Sequence, residues 1–230
     1  MGLRSTLTTM AASAAARRAA PVAATHGVRQ FLSRSVEGFP GFPSAWEVAR
    51  KQLERTKDVD RAVAGVIEQH VRLAGGQGFV TNLGGWPLLP VTLPANIAGL
   101  AVLQVRMCAA IAYLRGYDIL DTRVRAAALM AVLGHQEVED GIRAGVLPGT
   151  PREVALGANT PDAAALDQVT AMVGQALVTR VGGKRATLMV TRRVPVLGGA
   201  VSAGVDAYST YTVGRYADRE FPTYTMIERA

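Results

Sequence analysis

The side chains best placed to do chemistry are ionisable residues carried by an apolar body: Arg106, Asp118, Asp121, Arg123, Arg125 and Asp206, with Gln104 close by in sequence. A charge taken into an apolar interior is costly unless it is paired and hydrogen-bonded. The expectation is that these groups neutralise one another. Arg106 would pair with Asp118 or with Asp206, tying a central helix to the turn after it or to the last helix. Such a set is a structural fastening in one reading. In the other it is the polar end of an apolar cavity that holds a lipid headgroup or a carboxylate.

No complete catalytic constellation accompanies them. His135 and Glu139 stand four apart, with Glu137 and Asp140 nearby, which would put two metal ligands on one helix face; no third ligand is evident and there is no HExxH pattern. Ser202 lies in an Ala-Val-Ser-Ala-Gly context that resembles a nucleophile elbow, but that motif needs a strand before the serine and both sides here read as helix. Gly182-Gly-Lys184-Arg185 lacks the first glycine and the final Ser or Thr of a phosphate loop, and Gly75 to Gly78 form no dinucleotide fingerprint. No metal and no cofactor is expected, and the reading is non-enzymatic. His26 and His70 are expected to be surface or helix-packing residues. Cys108, in an apolar run, is expected to be a small buried hydrophobe.

The elements that position these residues are helices. Ser44 with Glu47 three residues on reads as a capping box opening a helix through Thr56; Asp58 caps the next, in which Val59, Val63, Val66, Ile67 and Val71 recur at helical spacing up to Gly75. No charge occurs from Leu73 to Val105, and Pro87, Pro90 and Pro94 break the segment before a helix over Ala95 to Leu114 that is apolar nearly all round. Gly116 ends it. Asp121 precedes a helix to Leu133, closed by Gly134, and a charged stretch from His135 to Arg143 follows. Gly145 to Pro161 reads as a surface excursion tolerant of insertion, with a short turn around Glu153 to Leu156. Helices are expected over Asp162 to Val181, over Lys184 to Arg193, and from Val196 to Arg219. In the last, Gly198, Ser202, Asp206 and Ser209 make a small-residue stripe that lets a neighbour approach.

The predicted fold class is thus all-α: a compact multi-helix bundle with a long apolar central helix and a small-residue-rich C-terminal helix. The 230 residues divide into a basic arm over 1–36 and a helical domain over 37–230. The arm holds five arginines and no acid, leaving 20 basic and 18 acidic residues for the rest. So uneven a charge argues against a nucleic-acid face spread over the body. Leu3, Leu7 and Met10 could line one side of a helical arm as a weak interfacial anchor; the plainer reading is a loosely packed terminus, and the composition is also shared by mitochondrial transit peptides. A single cysteine allows no intrachain disulfide and points to a cytoplasmic setting.

The set Gly84-Gly85, Pro90, Pro94, Gln104 and Arg106, followed by Gly116-Tyr117-Asp118, Asp121 and Arg125, resembles the bacterial EcsC family. Lys184, Val194-Pro195, Gly198-Gly199, Ala203-Gly204 and Asp206 extend the resemblance, which covers Ser44 to Phe221. Asp206 departs from the pattern, standing where the family carries Asn. The resemblance implies a fold and little mechanism, because the family has no agreed activity; its members occur beside ABC-transporter genes or alone.

The function expected is binding of lipid, or peripheral association with the inner face of the cell membrane, through an apolar groove. Gln104, Arg106, Asp118, Asp121, Arg125 and Asp206 would form its buried polar network, and Trp86, Leu88, Leu89 and Leu93 its apolar or membrane contact. The segment Leu83 to Leu93 either dips into lipid or caps the core. A conventional span is not expected, since Pro94 to Val105 offers only twelve residues before Arg106. The alternative is an interaction scaffold or adaptor, homo-oligomeric or linked to a transporter. A hydrolase using the acid cluster comes third.

Overall fold

A computed structural model describes residues 34–80, 95–158 and 195–224, together with Ala165, Gln168, Val169 and Met172. Ser44 opens the first helix as its spacing predicts. Its hydroxyl accepts from the Glu47 amide at 3.2 Å while Glu47 Oε2 accepts from the Ser44 amide at 2.8 Å, and α1 runs Ala45–Thr56. Asp58 serves the next helix in the same way, accepting from the Arg61 amide at 2.8 Å. That helix, α2, covers Val59–Val80 and so continues past Gly75, where the glycine run predicts an end. A helical glycine costs about 1 kcal/mol. The helix continues through Gly75 against the last helix, where a Cβ on Gly75 would lie in ordinary contact, 3.6 Å from Ala207 Cβ.

The next helix, α3, covers Ala95–Leu114, and every residue from Leu100 to Ala112 is buried. Gly116, at φ +92°, turns the chain out of it. Asp121 then caps α4, Thr122–Leu133, by accepting from the Arg123 amide, and Gly134 at φ +88° separates it from α5, His135–Arg143. Thr150 and Glu153 form a second capping box at the start of α6, Pro151–Ala155. The last helix, α7, is Pro195–Glu220.

Among the described residues the architecture is all-α, with one isolated bridge between Phe39 and Phe42. The packing places α3 at the centre, against α1, α2, α4 and α7. α2 runs antiparallel to α7: Gly75 lies beside Ala203 and Ala207, and Gly214 beside Ile67. Of the predicted stripe, Ser209 faces Gln104 on α3, with 3.4 Å between its hydroxyl and the Gln104 amide nitrogen. A Cβ on Gly214 would stand 3.0 Å from Ile67 and 3.2 Å from Met107 Sδ. Among the described residues no helix is long and apolar enough to cross a membrane.

Ser35 and Val36, at the end of the predicted arm, are buried, and Val36 belongs to the main core. One expectation is corrected: 145–158 is not a surface excursion throughout, since Leu147, Val154 and Ala155 are buried and α6 packs on α4. The arm before Arg34, the segment 83–93 with Trp86, Leu88, Leu89 and Leu93, the helix predicted at 184–193 and most of that at 162–181 lie outside the described residues.

Candidate functional site

Arg106 projects from α3 toward α2 and the turn before α1. Its Nε donates to His70 Nε2 at 3.1 Å, its Nη1 to the Pro43 carbonyl at 3.2 Å, and its guanidinium carbon lies 3.8 Å from the centre of the Phe42 ring. Phe42 is stacked in turn on Phe39, with centroids 4.7 Å apart. A guanidinium only donates, so His70 Nε2 must be the acceptor; that leaves Nδ1–H to donate to the Val66 carbonyl at 2.8 Å. The imidazole is neutral. Burial, followed by the charge of Arg106, pushes His70 down to about 3, while burial pushes Arg106 down only to about 10. Arg106 therefore stays charged at neutral pH, although it is 2% exposed.

The expected pairing of Arg106 with Asp118 or Asp206 is not what holds it. Among the described residues its partners are a neutral ring nitrogen, a carbonyl and an aromatic face. Asp118 is exposed and accepts from the Leu120 amide at 2.9 Å, bracing the turn before α4. Asp206 is half-buried on α7. Asp121 caps α4 and pairs with Arg123 at 2.6 Å. Arg125 donates to the Ile119 carbonyl at 2.9 Å and lies 3.1 Å from Glu37. Gln104 is two residues from Arg106 and hence about 200° round the helix. Its amide nitrogen meets Ser209 at 3.4 Å and Thr210 at 3.3 Å, and its buried Oε1 has no hydrogen-bond partner among the described residues. Among the described contacts, Gln104, Arg106, Asp118 and Arg125 are fastened separately.

The strongest of them involves a residue outside the predicted set. Arg115, just after α3, reaches Asp60 and Asp218 at 2.6 Å each, clasping the start of α2 to the end of α7, and its carbonyl accepts from the Tyr224 amide at 2.7 Å. His70 has a signal in the sequence, since it continues the Val63, Val66, Ile67 face of α2. Phe42 and Pro43 have none, because only the fold brings their turn against α3.

Other candidates find plain roles. His135 Nε2 lies 3.3 Å from Glu139, both mostly exposed, and the described residues contain no group of three or more metal-ligating side chains. Cys108 is fully buried, which pushes its thiol far up and leaves no thiolate at neutral pH. Ser202 lies within the continuous helix α7, without the strand that a nucleophile elbow needs.

No family model, curated protein or solved structure matches the chain. The chemistry must therefore be read from the arrangement itself. The Phe42 ring that covers Arg106 also packs against a small buried apolar cluster of Ala74, Leu100 and Leu103. A guanidinium with neutral acceptors and no counter-charge among the described residues can attract a carboxylate or a phosphate.

Proposed function

We propose that this is a non-enzymatic helical protein that binds lipid, or associates peripherally with a membrane, through an apolar groove. The observation that carries the reading is Arg106: a buried, protonated guanidinium with no carboxylate beside it among the described residues, covered by the Phe42 ring, which itself packs on Ala74, Leu100 and Leu103. A fatty-acid carboxylate or a phosphate headgroup would supply the missing negative charge, and its acyl chain would lie along those apolar side chains. On the sequence, Trp86, Leu88, Leu89 and Leu93 would add to that apolar surface. Membership of the EcsC family and a place at the inner face of the cell membrane are part of the same proposal. What supports the family is the core position of Gln104 and Arg106 and the capping role of Asp121, three residues of the resemblance.

Native mass spectrometry of protein prepared without harsh detergent tests the reading. A lipid-sized adduct is expected, reduced by Arg106→Gln. Protein that carries no lipid and does not float with anionic vesicles would overturn it.

A further inference from the structure

The last helix leaves one face uncovered. Gly204, Val205, Tyr208, Tyr211 and Thr212 are all exposed, Tyr208 to 71%, Tyr211 to 49% and Val205 to 42%, and a Cβ on Gly204 would meet nothing within 4 Å. At about 100° per residue these positions share an arc of roughly 120° centred on Tyr208, and Arg215 and Arg219, both exposed, continue the same arc toward the C-terminal end. The carboxylates of α7 lie elsewhere. Asp206 is about 160° from Tyr208, Glu220 about 120°, and Asp218, about 80° away, is held mainly by Arg115 at 2.6 Å, with Arg215 at 3.4 Å from its other oxygen. The face is thus apolar and aromatic at one end, cationic at the other, and free of acid along its length of about 22 Å.

We propose that this face of α7 docks on an anionic lipid surface, with Val205, Tyr208 and Tyr211 at the level of the headgroups and Arg215 and Arg219 on their phosphates. The proposal rests on the membrane reading above and gives it a surface and a lipid class. Tyrosine suits that depth because its ring is apolar and its hydroxyl stays wet. Charge decides among occupants. A second copy packed on this face would bring arginines against a surface with no exposed carboxylate to receive them. The chain's own segment 1–33, with four arginines and no acid, fails for the same reason. Anionic headgroups supply the missing sign, and attraction to them weakens with salt.

Flotation of the full chain with vesicles of phosphatidylglycerol and phosphatidylcholine in equal parts, against phosphatidylcholine alone, tests this. The wild type is expected to float with the anionic vesicles only. Tyr208→Ser with Tyr211→Ser should lower apparent affinity by about tenfold or more, the equivalent of losing the burial of two rings. Arg215→Gln should flatten the salt dependence. Both tyrosines are exposed, so an unchanged thermal midpoint by circular dichroism is expected. A Tyr208→Trp chain provides an independent readout, since its fluorescence should shift to the blue on anionic vesicles. If the wild type floats and the double variant floats equally well, the face is wrong and the membrane reading stands. If the wild type neither floats nor carries lipid, both fall. A dimer in light scattering that the double variant dissolves would assign the face to a second copy and overturn the proposal.

Discussion

Arg106 and His70 make a charged pair in which only one member is charged, and this sets what each substitution does. Removing the charge should cost less: Arg106→Met keeps most of the volume and eliminates a buried charge but leaves His70 Nε2 and the Pro43 carbonyl without their donor, so a loss of about 1–2 kcal/mol is expected. Removing the acceptor should be worse, since His70→Ala leaves the guanidinium short of a hydrogen bond and opens a cavity, at about 3 kcal/mol. Urea unfolding of the two variants checks the order, and a larger loss for Arg106→Met would contradict it. His70 also sets a pH dependence. Its folded value of about 3 lies below the ordinary 6.5, so between those limits the unfolded chain binds the extra proton. Stability contributed by the neutral ring is complete above pH 6.5 and is lost as pH falls toward 3, with a slope of at most about 1.4 kcal/mol per pH unit. His70→Gln cannot titrate, so its stability should fall less between pH 7 and pH 4.5 than that of the wild type. Arg106 was legible as buried because it closes an uncharged run. Its partners were not, because sequence logic looks for a carboxylate, whereas the fold supplies a neutral ring and a carbonyl from residues 36 and 63 positions away.

Helix boundaries are local chemistry, and they were the most legible elements. Ser44, Asp58, Asp121 and Gly116 act within a few residues, so their spacing suffices to place α1, α2, α3 and α4. The 145–158 segment was misread for the opposite reason. Its prolines and glycines do make turns, but burial of Leu147 and Val154 depends on α4 standing over them. Arg115 joins elements in the same non-local way, and its two ion pairs differ in a manner that can be measured. Asp218 is 18% exposed and Asp60 81%. Water screens the second pair far more, so Asp60→Ala should cost under about 1 kcal/mol and Asp218→Ala about 2 kcal/mol, read from denaturation midpoints. Gly116→Ala should cost a similar amount. Its φ of +92° disfavours any side chain, and a Cβ there would stand 2.9 Å from the Tyr224 carbonyl oxygen, a backbone atom that cannot rotate away.

Across the whole molecule, the core is closed by residues from the two ends of the described chain. Val213, Tyr216, Ala217 and Phe221 pack in the same cluster as Val36, Val48, Val63 and Ile67, around an α3 that is buried on every side from Leu100 to Ala112. The fold class could be read from helical periodicity, but this closure could not. Apolar faces on α2, α3 and α7 say that each helix must be covered, not which partner covers it. Because α7 fits closely against α2 at Gly214, it should be required for the fold rather than appended to it. A chain ending at Val194 should therefore lose its cooperative thermal transition, since it would leave Met107, Ile67 and Arg115 without the surfaces that bury or neutralise them. Hydrogen exchange on the intact chain gives the complementary measurement. Amides of Leu100 to Ala112 should exchange only through global unfolding, whereas those of α5, whose first turn lies at the surface with an exposed His135–Glu139 pair, should open first. Slow exchange in α5 with fast exchange in α3 would mean that the central helix does not organise the bundle.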